Sequence, residues 1–494
     1  MIRNWSAVCL IIVSFFRIGV SEGVPRIGIV GAGVGGTSAA YFLRELFGDS
    51  AQIDVFERKV VGGRLAVINI DDHYYNVGGS IIHPQNMYMV NFTNMLGLGM
   101  NTDSDSDTFG LFNGDEMLFS TSDWSVISLM KLVWRYGLDI INIRNWVQEK
   151  VLKPMQKLYQ IQADGHAFST VEDLLNSMDE TLVSWTKKSI KTLLKEEGFS
   201  DKFIDEIVMG AMRVNYGQTT DVHGLVGAVS MAGIEPGLWN VIGGNQKVPQ
   251  GLLEKSKANL IHGVVRTVTL LSDDTPMYTI HYTIPSDQEK LEIKEYDIVI
   301  LATPIYKGIA NIEFSNFQKE IEPIDYDFHL TVATFVEGQP NATFFGYDDV
   351  NDLPQDIITI NDKLFFNSLS KQNPVEPCKE ELKNDKTVYK LFSNRVPTKD
   401  EINQICPKQN DLRMINWMAY PNYTSSINLP SFILNERLYH ISGIEMAASA
   451  IEMSIVSAKN VALLASYHWN GQYDKIDELS AELERESRTE KTEL

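Results

Sequence analysis

Cysteine is scarce in this chain of 494 residues, with three in all. Cys9 lies in the first apolar stretch, which leaves Cys378 and Cys406, both in a polar, proline-containing region. An oxidising lumen would pair these two, and the alternative is two free thiols. Neither stands in a metal or redox motif, so no metal site is expected. Basic runs are absent as well. With 43 Lys and Arg against 64 Asp and Glu, the formal net charge is −21. That balance argues against nucleic acid as a partner and suits an acidic compartment. No apolar run is fit to span a bilayer: Ala7 to Phe16 is too short, and the late helical run Met446 to Tyr467 carries Glu452 and Lys459. No internal repeat is found. What is present is a globular composition, 44% apolar and 22% charged, at a length that requires two or three domains.

The first residues read as an export signal. Arg3 gives a positive start, Ala7 to Phe16 an apolar core, and Gly19-Val20-Ser21 a small-x-small cleavage site. Arg17 makes the pattern imperfect, and an uncleaved anchor is the alternative. Residues 1–21 are therefore set aside as a signal peptide, with the mature chain beginning near Glu22. Three sequons, at Asn91, Asn341 and Asn422, point to glycosylation in a lumen. The end, Lys491-Thr492-Glu493-Leu494, approaches a K-D-E-L retention signal but has Thr for Asp, which leaves retention doubtful.

The rest is organised around Ile27 to Gly36. Ile27, Ile29 and Val30 form a short apolar run of the kind buried in parallel sheets. Gly31, Gly33 and Gly36 then fill the G-x-G-x-x-G spacing, and a helix to Phe47 follows. This is a dinucleotide-binding pattern: a tight turn, close approach of a pyrophosphate, and a helix N-terminus aimed at it. A second strand, Gln52 to Phe56, ends at Glu57, about 20 residues past the glycines, where an acid binds a ribose hydroxyl. A carboxylate there would repel a 2′-phosphate, which disfavours NADP. Gly62-Gly63-Arg64 follows Arg58; its glycines admit a diphosphate and Arg64 adds a charged fork. This second motif shifts the expected dinucleotide from NAD to FAD. Gly78-Gly79-Ser80 would bring backbone against a flat ring, and His83 is the next titratable group. It is a candidate for contact with flavin or substrate, or else a structural histidine.

Residues 84–233 change character and read as mainly helical, a substrate or lipid region. Trp124 to Tyr136 is apolar except for a narrow stripe of Ser125, Ser128, Lys131 and Arg135, so a mostly buried helix is expected. The alternatives are core packing, the wall of a lipid tunnel, and a surface that touches membrane. Arg213 and Tyr216 sit where a helix gives way to a polar loop. Arg213 is a candidate for a substrate carboxylate, or for a salt bridge at the helix end. Residues 234–308 return to α/β character. Val265 would lie against an adenine, and Tyr296 to Leu301 reads as a central parallel strand that ends at Thr303-Pro304. Residues 309–430 alternate short strands and loops, as a substrate domain would. In 431–470 a strand turns through Gly443 into the late helix, whose N-terminus would face the flavin pyrimidine, with Glu445 on the ribityl chain and Ala448 at the turn. Residues 471–494 form a charged tail. The expected fold class is α/β. A Rossmann-type FAD-binding domain is assembled from separated segments (22–83, 234–308 and 431–470), with an inserted helical region and a mixed α+β substrate domain.

The three flavin-binding pieces together resemble the FAD-dependent amine-oxidase-like flavoproteins. With Val61 to Ala66, Lys131 to Gly137, Met212 to Gln218 and Ala447 to Ser449, the chain is similar more closely to the prenylcysteine oxidase and prenylcysteine oxidase-like family. The resemblance covers nearly all of the mature chain. It implies a lysosomal or secreted FAD thioether oxidase that cleaves farnesyl- and geranylgeranyl-cysteine to cysteine, a prenyl aldehyde and hydrogen peroxide, with O2 as acceptor. A C–H beside both sulfur and a double bond loses hydride readily, water adds to the cation, and the hemithioacetal collapses. Such loss needs no strong base, and His83, Tyr216 and Arg213 are the candidate catalytic or lining residues. No Cys or His stands in an attachment motif, so the FAD is expected to be noncovalent. Peripheral contact with a membrane or lipid particle is a further expectation. Two rivals share these motifs: a flavin amine oxidase and an oxidase-like FAD-binding protein without turnover.

Overall fold

The computed structural model describes residues 23–102, 108–121, 125–285, 287–376 and 386–479. The export signal with Cys9, Trp124, Cys378 and the tail from residue 480 lie outside the described residues.

A six-stranded sheet gathers three distant parts of the chain. Its order is Ile433–Asn435, Leu438–His440, Ile298–Leu301, Arg26–Val30, Gln52–Glu57 and Asn259–His262. All neighbours run parallel except the first pair. The central strands Arg26–Val30 and Ile298–Leu301 read as near-continuous apolar runs because both faces are covered. Ile27, Ile29, Ile298 and Ile300 point into one core with Ala39, Leu43 and Val456 of the flanking helices Val34–Phe47 and Ile451–Asn470. Val30, Val299 and Leu301 point the other way, onto Tyr278, Ile280 and Tyr296. Those residues belong to a four-stranded sheet ordered Asp287–Tyr296, Met277–Ile284, Val264–Ser272 and Glu313–Ser315. The stretch that reads as one strand from Asn259 to Val268 is broken at Gly263. It serves the parallel sheet before that glycine and the four-stranded sheet after it.

A seven-stranded sheet forms the second body. It is centred on the long antiparallel pair Phe328–Gln339 and Lys408–Pro421. Its far edge is made by Phe109–Phe112 and Met117–Ser120, two strands inside the region expected to be mainly helical. The region from 171 to 231 contains short helices opened by side-chain caps: Thr170 accepts from Asp173 N–H, Ser189 from Thr192 N–H and His223 from Val226 N–H.

The helix Ser125–Tyr136 corrects one expectation. Its apolar residues Leu129, Met130 and Trp134 are exposed, while Ser128 and Tyr136 are buried. The reason is the partner offered to the polar stripe. Arg135 binds Glu206 through Nε at 2.7 Å and Nη2 at 2.9 Å, and the Tyr136 hydroxyl donates to the same carboxylate at 2.7 Å. The anchored side is therefore the polar one.

Candidate functional site: a crevice at the carboxyl ends of the strands

The parallel strands deliver Gly31, Glu57, Ala302 and His262 to one edge, where open α/β sheets bind ligands. Gly31 has φ +108°, a conformation that favours glycine, and its backbone abuts Ala302 O. A Cβ on Gly36 would stand 1.9 Å from Gly31 O, so the helix can approach the turn only at a glycine. Gly33 is different. Nothing lies within 4 Å of the place its Cβ would take, so this position opens onto free space. The helix that Gly33 caps has no side-chain cap and no acid in its first turn. Its N–H groups and dipole remain available to an anion.

The second glycine motif lies against the first. Gly62 N–H donates to Ala32 O at 2.9 Å, and Gly33 bridges to Gly62. Glu57 fastens the turn: Ala32 N–H donates to its Oε2 at 3.0 Å and Lys59 N–H to its Oε1 at 2.7 Å. Arg58 is exposed beside it, and a Cβ on Gly63 would stand 3.5 Å from Gly33 Cα. Val265 is buried next to Gly263, whose N–H donates to Glu57 O at 3.0 Å. Thr303 is half-buried at the Gly31 turn. An open glycine position, an uncapped helix N-terminus and an acid at the strand end together fit a dinucleotide.

Arg64 does not present a free fork. It pairs bidentately with Glu445, Nη2 to Oε1 at 2.6 Å and Nη1 to Oε2 at 2.9 Å, and Nη1 also donates to Ala419 O at 2.6 Å. Glu445 is buried in the short 3-10 segment Ile441–Met446 that contains Gly443, and although burial lowers the Arg64 pKa, the pairing with Glu445 raises it overall. The pair therefore ties the Gly62–Arg64 loop to the turn before the late helix. That helix starts at Ile451, five residues later than expected, because Ile441–Met446 and the bend at Ala447–Ala450 take up the intervening chain. Ala448 is fully buried in this bend.

Gly79 is the next wall. Its N–H donates to Arg64 O at 3.2 Å, and its Cβ position faces Ile451. Asn245 holds the turn open with its Nδ2, which donates to Gly79 O at 3.0 Å and Ser80 O at 3.1 Å. Gln246 does the same for the earlier loop, donating to Val61 O at 2.8 Å. The sequence signal for these two was the Gly243-Gly244-Asn245 run ahead of a helix.

Tyr216 reaches the same place. Its hydroxyl donates to Ser449 O at 3.2 Å, and its ring packs edge-on against Tyr420 and Tyr423. Tyr423 donates to Glu445 O at 2.8 Å and accepts from Ser449 N–H at 2.9 Å. Sequence reasoning missed Tyr423, which it met only as the middle residue of the Asn422 sequon. It also missed Lys390, a lone cation in the apolar strand Val388–Ser393; burial pushes it down to about 8, and its Nζ donates to Asn76 O at 3.2 Å. Two further groups are buried and bond no other group of the protein among the described residues: both ring nitrogens of His440, which burial holds at about 3, and the Tyr306 hydroxyl.

His83 follows the Gly79–Ser80 turn and is buried. Its Nδ1 accepts from Gln85 N–H at 3.1 Å, which leaves the proton on Nε2, and Nε2 has no protein partner. Burial lowers its pKa, opposed by Glu235. Arg213 is not brought here. It is fully buried on the helix Met209–Tyr216, with Nε donating to Thr359 Oγ1 at 2.8 Å and Nη2 to Phe366 O at 2.9 Å, and burial lowers it to about 10. We place it as a link between helix and sheet rather than at a substrate headgroup. Of the sequons, Asn91 is exposed; Asn341 donates to Gln404 O and Asn422 Oδ1 meets His329 Nδ1, both half-buried. Cys406 is buried with its thiol pushed up to about 12.

The profile of the prenylcysteine lyase family matches residues 119–478. The chain belongs to that family. A second profile, of an NAD(P)-binding Rossmann-like domain, matches residues 29–95. Bovine (Bos taurus) prenylcysteine oxidase 1 is 40% identical over 465 residues, covering 92% of this chain and 90% of the relative. Human (Homo sapiens) prenylcysteine oxidase 1-like is 34% identical over 461 residues, covering 92% of each. Among solved structures, a redesigned putrescine oxidase superposes with a TM-score of 0.59 at 13% identity, over 89% of this chain and 98% of its own, which places the chain in that fold.

Proposed function

We propose that the protein is an FAD-dependent prenylcysteine oxidase. It releases cysteine, a prenyl aldehyde and hydrogen peroxide from farnesyl- and geranylgeranyl-cysteine, with O2 as acceptor, and it works in the secretory pathway, in the lysosome. The observation that carries this is the 40% identity to a prenylcysteine oxidase over nearly the whole chain, on a fold whose crevice leaves Gly33 open. When bound noncovalently there, FAD supplies the hydride acceptor. The N-terminus of Val34–Phe47 and the Gly62–Gly63 backbone hold the diphosphate, and Glu57 takes a ribose hydroxyl. The Arg64–Glu445 pair and Asn245 keep the Gly79–Ser80 turn in register with Ile451. Tyr216 and Tyr423 form a wall of buried rings that limits water at the reacting carbon. His83, three residues beyond Ser80, offers one N–H toward a substrate group. A farnesyl or geranylgeranyl chain partitions into lipid, so the enzyme meets its substrate at a lipid surface.

The test is anaerobic addition of farnesylcysteine to the purified yellow protein. Loss of the flavin band, followed by peroxide on admitting air, is expected. An unbleached flavin would make the chain a binding protein without turnover, and bleaching by benzylamine alone would make it an amine oxidase.

A further inference from the structure

The helices Ser125–Tyr136 and Asp139–Val147 meet at Gly137, which has φ +63°. This corner exposes an unusual set of side chains. Trp134 is 89% exposed, Met130 66%, Leu138 65%, Leu129 50% and Ile141 46%. All five fall within thirteen residues, on two helix ends that share one turn. Single exposed apolar residues are ordinary; five together, led by a tryptophan, mark an interaction site.

Charge indicates what covers it. Residues 125–163 carry six Lys and Arg against two Asp and Glu, in a protein of net charge −21. The neighbouring segment 187–208, which binds this corner through Arg135–Glu206 and Asp139–Ser200, carries five of each sign. The corner is thus locally positive on an acidic molecule. Two copies of it would repel each other, whereas anionic lipid would attract it. An amphipathic helix with an exposed Trp and flanking lysines is the form that lies in a bilayer interface. No described helix is long and apolar enough to cross a membrane.

We propose that the Gly137 corner is a peripheral docking surface for an anionic lipid bilayer, with Met130, Trp134 and Leu138 entering the interface and Lys131 and Lys150 meeting the headgroups. The choice of lipid rests on the prenylcysteine reading, under which the substrate's chain comes from a membrane. The corner also leads toward the crevice. On its second helix Arg144 lies 4.0 Å from Glu235, which Gln148 also binds at 3.1 Å and whose charge acts on His83 beyond the Ser80 turn.

The holoenzyme is sedimented with vesicles of phosphatidylcholine alone and of phosphatidylcholine with phosphatidylserine, at low and high salt. Binding to the anionic vesicles that weakens with salt is expected. Met130→Ser/Trp134→Ser should bind roughly tenfold less or weaker still, and Lys131→Glu/Lys150→Glu should lose the salt-dependent part. Flavin content and oxidation of farnesylcysteine in detergent should stay as in the wild type for both variants. Absence of wild-type binding to anionic vesicles would overturn the proposal, as would equal binding by the serine variant. A concentration-dependent dimer lost in the serine variant, without vesicle binding, would assign the corner to a second copy instead. Vesicle binding by a protein that oxidises no prenylcysteine would leave the docking surface standing and remove the prenylcysteine reading.

Discussion

The crevice and the Gly137 corner are built in opposite ways. In the crevice the decisive atoms are backbone: a Gly31 turn, a Gly36 packed on it, a Gly33 left open, and glycine loops held by Asn245 and Gln246. At the corner the decisive atoms are side chains, and their polarity is reversed from the usual helix, with Arg135 and Tyr136 anchored inward and Trp134 outward. A backbone site is written in short spacings that survive any surroundings. A helix face takes its direction from what lies beside it, here the buried-facing carboxylate of Glu206. The difference teaches that a motif and an amphipathic pattern are unequal kinds of information.

The sharpest way to break the crevice is at its two contrasting glycines. Gly36→Val should prevent the turn from forming and yield little folded protein, because its side chain meets Gly31 O. Gly33→Val should fold with a near-normal melting temperature yet carry no flavin. Yellow Gly33→Val protein would show that the open space is not the pyrophosphate site.

Next in size is the Arg64–Glu445 pair. Glu445 is buried but the Arg64 side chain is 37% exposed, so water screens part of the about 3–5 kcal/mol that breaking a fully buried ion pair costs. Arg64→Met and Glu445→Gln should each lower the unfolding free energy by somewhat less than that, and the double variant should recover part of the loss. Additive losses would mean that the two side chains are not coupled.

Arg213 tests where the substrate side begins. With both hydrogen-bonded nitrogens satisfied inside the protein, Arg213→Ala should cost about 2–4 kcal/mol of stability. KM for farnesylcysteine, measured per mole of bound flavin, should not move. A several-fold rise in KM at unchanged stability would return Arg213 to the headgroup.

The smallest effect concerns Glu452, in the first turn of the late helix. Burial raises it from 4.5 to about 7, although Tyr159 Oη–H and the N–H groups of Tyr88 and Met89 donate to it. A raised folded pKa stabilises fully below 4.5 and loses that contribution as pH rises through 7. Buried His223 and His440, held at about 4 and 3, act in the other sense below the ordinary histidine range. The comparison is therefore between variants. Glu452→Gln should gain on the wild type by about 3 kcal/mol between pH 4.5 and pH 8. Thermal melts in which the gap stays constant with pH would show that Glu452 does not carry the proton.

By itself the sequence determined the dinucleotide crevice. Gly31, Gly33, Gly36, Gly62 and Gly63 act through backbone conformation and close approach, which are local and depend on residue type alone, and Glu57 adds a carboxylate at a fixed spacing at the end of the next strand. It also marked the central strands, since apolar runs such as Ile298–Leu301 suit a sheet covered on both faces; their order in the sheet came from the tertiary structure. Tertiary structure alone decided the remainder. Arg64 and Glu445 are 381 residues apart, and nothing near either one announces the other. Tyr216 meets Tyr423 and Ser449 only because the Met209–Tyr216 helix packs across the bend before Ile451. Arg213, three residues earlier on the same helix, bonds Thr359 instead. The direction of a side chain is set by the partner that satisfies it, and those partners are brought together by burial of surfaces far apart in the chain.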